Sequence, residues 1–82
     1  MKEVGKVTHY YGKIGVAIID LSEGLKVSDK IKIESNLTEF EQTVDSMEVE
    51  HKPVSEAKRG DVIGMKVVEK TSEGATVYKL EE

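Results

Sequence analysis

Apolar residues recur at every second position through most of the chain, and short polar or glycine-marked breaks separate the runs. That period of two is the signature of strands with one buried face. Lys2 to Tyr11 reads as a first strand with Val4, Val7, Tyr10 and Tyr11 as its apolar content, and Gly5 marks a bend. Gly12-Lys13 supplies a tight turn, and Ile14 to Leu21 returns as a second strand. Here Ile14, Val16 and Ile18 share one face while Ala17, Ile19 and Leu21 share the other. A strand that is apolar on both sides is covered by other parts of its own chain or meets a partner. Covering by the chain's own loops is the expectation, with a partner as the alternative.

Lys26 to Asp29 leads into a third strand, in which Ile31 and Ile33 alternate with Lys30, Lys32 and Glu34, and Ser35-Asn36 makes a turn. Glu39 to His51 reads as one long extended stretch, with Phe40 and Val44 on even positions and Met47, Val49 and His51 on odd ones. Such a change of phase needs an extra residue, so the pattern predicts a bulge at Asp45-Ser46. Lys52 to Arg59 holds the one candidate helical turn, opened by Pro53 and ended by Gly60. From Asp61, Ile63, Met65 and Val67 alternate against Gly64 and Lys66; Glu69 to Gly74 is a polar loop, and Ala75 to Leu80 forms a last strand. The elements together predict an all-β fold, a small closed six- to seven-stranded antiparallel barrel with at most one short helical turn.

Composition narrows the picture. A chain of 82 residues makes one domain, 1–82, with a modest core. Cysteine is absent, which removes disulfides and thiolate metal sites and suits a cytoplasmic setting. The run Val16-Ala17-Ile18-Ile19 is too short to cross a bilayer, and the opening MKEVGKV lacks the apolar block of a secretory leader. The net charge of −4, with 16 acidic and 12 basic residues, argues against affinity built on phosphate neutralisation, and DNA is not an expected ligand. A monomer is the expected state.

The residues from Val44 to Lys66 resemble a known family. VDSMEVEHKPVSEAKRGDVIGMK is similar to a segment of the second domain of elongation factor Tu, on Ser46, Met47, Glu48, His51, Ala57, Gly60, Asp61, Ile63 and Gly64. Gly5-Lys6-Val7 matches that family's opening, and Gly24-Leu25-Lys26-Val27-Ser28-Asp29-Lys30-Ile31 matches a second block, with Ser28 where a glycine is usual. Glu73-Gly74 to Tyr78-Lys79 looks like its closing block. The resemblance implies a translation-factor barrel without its GTPase, a non-catalytic module that associates with RNA or with a ribosomal or other translation partner. It further implies that Glu48 packs on the terminal adenosine of a tRNA; the other reading is an exposed strand glutamate. A second implied possibility is a protein-docking barrel like the C-terminal barrel of collagenase-like peptidases, with Val16 to Ile19 as its docking patch.

Candidate chemistry is sparse. Gly12-Lys13-Ile14-Gly15 lacks the following helix that a phosphate-binding loop needs. No Gly-x-Ser-x-Gly elbow surrounds any of the six serines, so no catalytic residue is assigned, and no cofactor. Tyr10 and Tyr11, flanked by His9 and Lys13, form an aromatic and basic cluster of the kind that stacks bases, although adjacent strand residues face opposite ways. One core tyrosine and one rim tyrosine is the plainer reading. Glu48 and His51 are three apart, which on a strand sets them on opposite faces and excludes a shared metal. Lys52, Lys58 and Arg59, with Lys66, form a candidate basic edge near Gly60, or else an ordinary solvated surface.

Overall fold

A computed structural model describes residues 1–36 and 38–80. The described residues contain ten strands and no helix: β1 (Lys2–Tyr11), β2 (Val16–Leu21), β3 (Leu25–Lys26), β4 (Lys30–Glu34), β5 (Glu39–Thr43), β6 (Met47–Val49), β7 (Lys52–Val54), β8 (Glu56–Ala57), β9 (Val62–Lys66) and β10 (Thr76–Lys79). Eight of them form one antiparallel sheet in the order β5-β4-β10-β1-β2-β9-β6-β7, and β3 pairs with β8 in a small separate ladder. The period-two residues face inward as their spacing requires: Ala17, Ile19, Leu21, Ile31, Ile33, Ile63, Met65 and Val77 are all buried. Leu25 and Ala57 of the small ladder join the same core.

Strand β1 is long enough to pair with both β10 and β2, and it bends to do so. Its ladders slip once between Glu3 and Gly5 and again between Val7 and His9. Each slip inserts one extra residue, so Val4 and Val7 both reach the core and Tyr10 packs against it despite a spacing of three. The strong curl that results brings β1 close over β2, where a side chain on Gly5 would stand 2.7 Å from the Asp20 carbonyl.

The sheet curls strongly but does not seal itself by main-chain pairing. It is an open eight-stranded half-barrel, which corrects the expected closed barrel of six or seven strands. The stretch from Glu39 to His51 is not one bulged strand either. It divides into β5 and β6 at opposite parts of the sheet, and residues 44–46 carry the chain between them. Val44 turns its backbone to the loop before β4 instead, accepting from Ser28 N–H at 2.8 Å and donating to Asp29 O at 2.8 Å. Across the remaining seam reaches one side chain. The Gln42 amide donates to Lys66 O at 3.0 Å and accepts from Val68 N–H at 2.9 Å, as a peptide group of a neighbouring strand would.

The expected helical turn at Lys52 to Arg59 is absent. Lys52–Val54 pairs back on β6 and Glu56–Ala57 pairs with β3, so ladder bonds on both sides outweigh the weak helical preference of Ser55-Glu56-Ala57-Lys58. Two turns of the same construction flank the small ladder. In one, Lys26 N–H donates to the Asp29 carboxylate at 2.9 Å and Ser28 has φ 83°. In the other, Lys58 N–H donates to the Asp61 carboxylate at 2.9 Å and Gly60 has φ 90°. Positive φ at the third position favours glycine, so Ser28 carries strain that Gly60 avoids.

Candidate functional site

The outward side of the sheet concentrates the apolar groups that the core does not use. Across five strands the ladders align His9, Ile18, Gly64, Glu48 and Pro53 in one outward row, with Tyr11, Val16 and Lys66 in the next. Gly64 has no side chain, so the middle of the first row is a notch. The notch opens into a groove of about 420 Å³ lined by Tyr11, Ile14, Val16, Ile18, Val62 and Gly64, with Glu48, Glu50 and His51 along one side. Val16 and Ile18 on the second face of β2 are half-buried, and around them Ile14 is 63 % exposed, Val62 51 % and Tyr11 48 %, so the chain's loops do not fully cover this face. The reason is local. The turn after β1 runs over residues 12–15, with Gly15 at φ 67°, and leaves Ile14 outside the strand.

The hairpin tip beside the groove is itself strained. Val49 pairs with Lys52, which leaves a two-residue turn at Glu50-His51, with φ 52° and 64°. Two consecutive left-handed residues describe the type I′ turn that Asn-Gly normally fills. A non-glycine side chain in that region costs about 1–2 kcal/mol. This geometry also revises the relation between Glu48 and His51: His51 sits in a turn, not on a strand, and both line the same groove. Even so, no group of three or more His, Asp or Glu side chains among the described residues is placed to hold a metal ion.

The remaining candidates separate. Tyr10 packs half-buried against the core while Tyr11 faces out, so the pair does not form a double stacking platform. The bulge turns His9 outward as well, with its ring 4.4 Å from that of Tyr11 and its Nδ1 3.0 Å from Glu73 Oε2. Lys58 and Arg59 line a smaller hollow of about 260 Å³ together with Lys26 and Lys79, interleaved with Asp29 and Glu56. Lys52 lies on β7, outside that hollow, so the expected basic edge is not one positive patch. A further hollow of about 590 Å³ lies between residues 34–36 and 72–76 and is mostly polar. Sequence reasoning missed the groove's central element, Gly64, because a strand glycine shows its use only when the residues across the ladder are known.

Comparison with known proteins follows the fold and not the expected family. No family model matches the chain. Over 81 residues it is 41 % identical to an uncharacterized protease of Methanocaldococcus jannaschii, a match that covers 98 % of this chain and 20 % of the protease. The chain therefore spans about a fifth of the length of the curated relative it matches. Two crystal structures of the C-terminal domain of a Geobacillus thermoleovorans protein assigned as a U32 peptidase superpose closely. One gives a TM-score of 0.92 over 96 % of this chain and 100 % of that one; the other gives 0.91 over 98 % and 93 %. Both are 16 % identical to the chain, a level at which the likeness is one of fold. These findings overturn the resemblance to elongation factor Tu: the chain is similar in sequence to one part of a protease and in fold to the C-terminal domain of a U32 peptidase. The implied translation and RNA roles, including that of Glu48 against a tRNA end, lose their basis with it. The alternative drawn from the sequence, the C-terminal barrel of collagenase-like peptidases, is the one that the comparisons support.

Proposed function

We propose that this chain is a non-catalytic docking barrel of a U32-type peptidase system, which engages protein through the outward face of β2 and β9. The open apolar groove built on Val16, Ile18 and Val62 carries the reading. Apolar side chains gathered on one outward face lower their free energy by burial against a partner, by about 25 cal/mol per Å² removed from water. Among the described residues the groove is lined by apolar and charged side chains with no serine, threonine, cysteine or lysine, which favours recognition over catalysis. The peptidase relative supplies the setting: the matched segment is one fifth of a much longer protease, whose other parts are free to carry the catalysis.

The test uses the Methanocaldococcus protease with its matched segment deleted. This chain is titrated into that core by calorimetry, as wild type and as Val62→Glu and Ile14→Glu. Both substituted residues are more than half exposed, so the fold is expected to tolerate the changes. Saturable binding that weakens about tenfold or more in each variant supports docking through this face. No binding, or binding indifferent to both substitutions, refutes it.

A further inference from the structure

Two features of the groove go beyond the need for an apolar surface. The first is Gly64. Its φ is not in the left-handed region, and a side chain there would meet Ile18 Cδ1 at 3.6 Å and Val16 Cγ1 at 3.7 Å, which is ordinary contact. Gly5 differs, because its neighbours at 2.7 and 2.9 Å leave no room. Neither backbone conformation nor packing requires glycine at position 64, and a strand-interior glycine weakens the strand. What the missing side chain does create is an open notch between an apolar wall and a carboxylate.

The second feature is the charge on the other wall. Glu48 and the strained tip residue Glu50 line the groove, and neither makes an ion pair among the described residues. No lysine or arginine lines it; His51 is the one basic side chain there. Two carboxylates beside an apolar floor favour a ligand that brings its own cations and one apolar group. An anionic ligand would meet like charge.

Resting on the docking role, we propose that the groove's occupant is an extended segment of a partner protein that carries one bulky aliphatic side chain flanked by lysine or arginine. The aliphatic group seats over Gly64 against Val16 and Ile18, and the flanking cations pair with Glu48 and Glu50. Neutral and acidic apolar segments lack the second half of that match. A second copy of this chain is the competing occupant.

Fluorescence anisotropy with three labelled hexapeptides tests this: Gly-Lys-Lys-Leu-Lys-Gly, the same peptide with serine for leucine, and the same with glutamate for every lysine. The basic leucine peptide is expected to bind, and each of the others to bind about tenfold or more weakly. Gly64→Ala partly fills the notch without a clash and is expected to lower affinity for the leucine peptide several-fold. Glu48→Lys with Glu50→Lys, both exposed, is expected to reverse the preference towards the acidic peptide. Equal binding of all three peptides, no binding of any, or insensitivity to Gly64→Ala overturns the proposal. So does a dimer in sedimentation that Gly64→Ala dissociates. If the peptidase core binds through Val62 while no peptide does, the docking role stands and the basic specificity falls. If the peptides bind as expected but the core does not, the specificity stands and the link to the peptidase falls.

Discussion

Replacing Gln42 by alanine tests whether a single side chain holds the seam of the half-barrel. Strand β6 pairs with β9 at Met65 and Gly64, and beyond Met65 no strand among the described residues lies beside that edge of β9. The Gln42 amide bonds Lys66 O at 3.0 Å and Val68 N–H at 2.9 Å there. Each such bond contributes about 1 kcal/mol net, and Gln42 is half-buried, so water replaces only part of what is lost. The expected cost of Gln42→Ala is therefore about 2 kcal/mol, a fall of roughly 8–16 °C in the midpoint for a domain of this size. Guanidinium unfolding followed by far-UV circular dichroism and tyrosine fluorescence measures it. Gln42→Glu sharpens the test, because a carboxylate still accepts from Val68 but faces the Lys66 carbonyl without a proton to offer. That glutamate is more easily protonated in the folded state than in the unfolded one. The variant should thus gain stability relative to wild type as pH falls below about 5. A cost for Gln42→Ala within about 0.5 kcal/mol of zero, or no acid recovery in Gln42→Glu, would refute the seam argument.

Other substitutions probe the backbone and the charged surface. Ser28→Gly should raise stability by about 0.5–1 kcal/mol, since relief of the strain at φ 83° exceeds the added entropy of the unfolded chain; a loss in thermal melts would contradict it. Gly5→Ala should cost about 1–3 kcal/mol through its 2.7 Å approach to Asp20 O, whereas Gly64→Ala should gain about 0.5 kcal/mol, so the two glycines differ in sign. The hydrogen bond to Glu39 is the main cause that raises the pKa of Lys32 above its ordinary 10.5, with the charges of Glu39 and Glu34 adding to it and desolvation opposing it. A raised lysine contributes its stability below the unfolded value and loses it as pH climbs through the folded one. The stability gap between wild type and Lys32→Met should thus hold from neutral pH to about 10 and narrow only above it.

Much of the fold was legible because the sheet imposes a period of two on whatever it buries. Ile31 and Ile33, Ile63 and Met65, and Ala17 and Ile19 announced their faces without help from the rest of the chain. The failures have a common cause, which is that they depend on partners distant in sequence. The spacing of three in Val4, Val7 and Tyr10 held the signal for two bulges in β1, but that pattern is decided only by what β10 and β2 offer on either side. Likewise the phase change after Val44 predicts a bulge, but it marks a crossing from one part of the sheet to another. The misplaced kinship has a physical source too. Gly60 and Asp61 are residues that a curled barrel needs for its turn and its turn-closing carboxylate, so they mark a fold shared by proteins of unrelated function.

The groove was half legible: the two-faced apolar pattern of β2 was plain, and its openness was not. Strain by itself does not single out this place, since Ser28 is strained in a turn that does not line the groove. What distinguishes the groove is that two destabilising choices adjoin and serve no common structural end. A glycine at 64 forgoes packing that an alanine would make without a clash, and a Glu50-His51 tip holds a turn that Asn-Gly would make without strain. Each removes or aims a side chain at the same hollow, one by clearing its floor and the other by setting a carboxylate on its wall. Inside, the described residues show one comparable cost, the Thr71 hydroxyl, which is buried without a hydrogen-bond partner. The open notch and the strained tip therefore support the reading of β2, β9 and the β6–β7 tip as the docking surface proposed above.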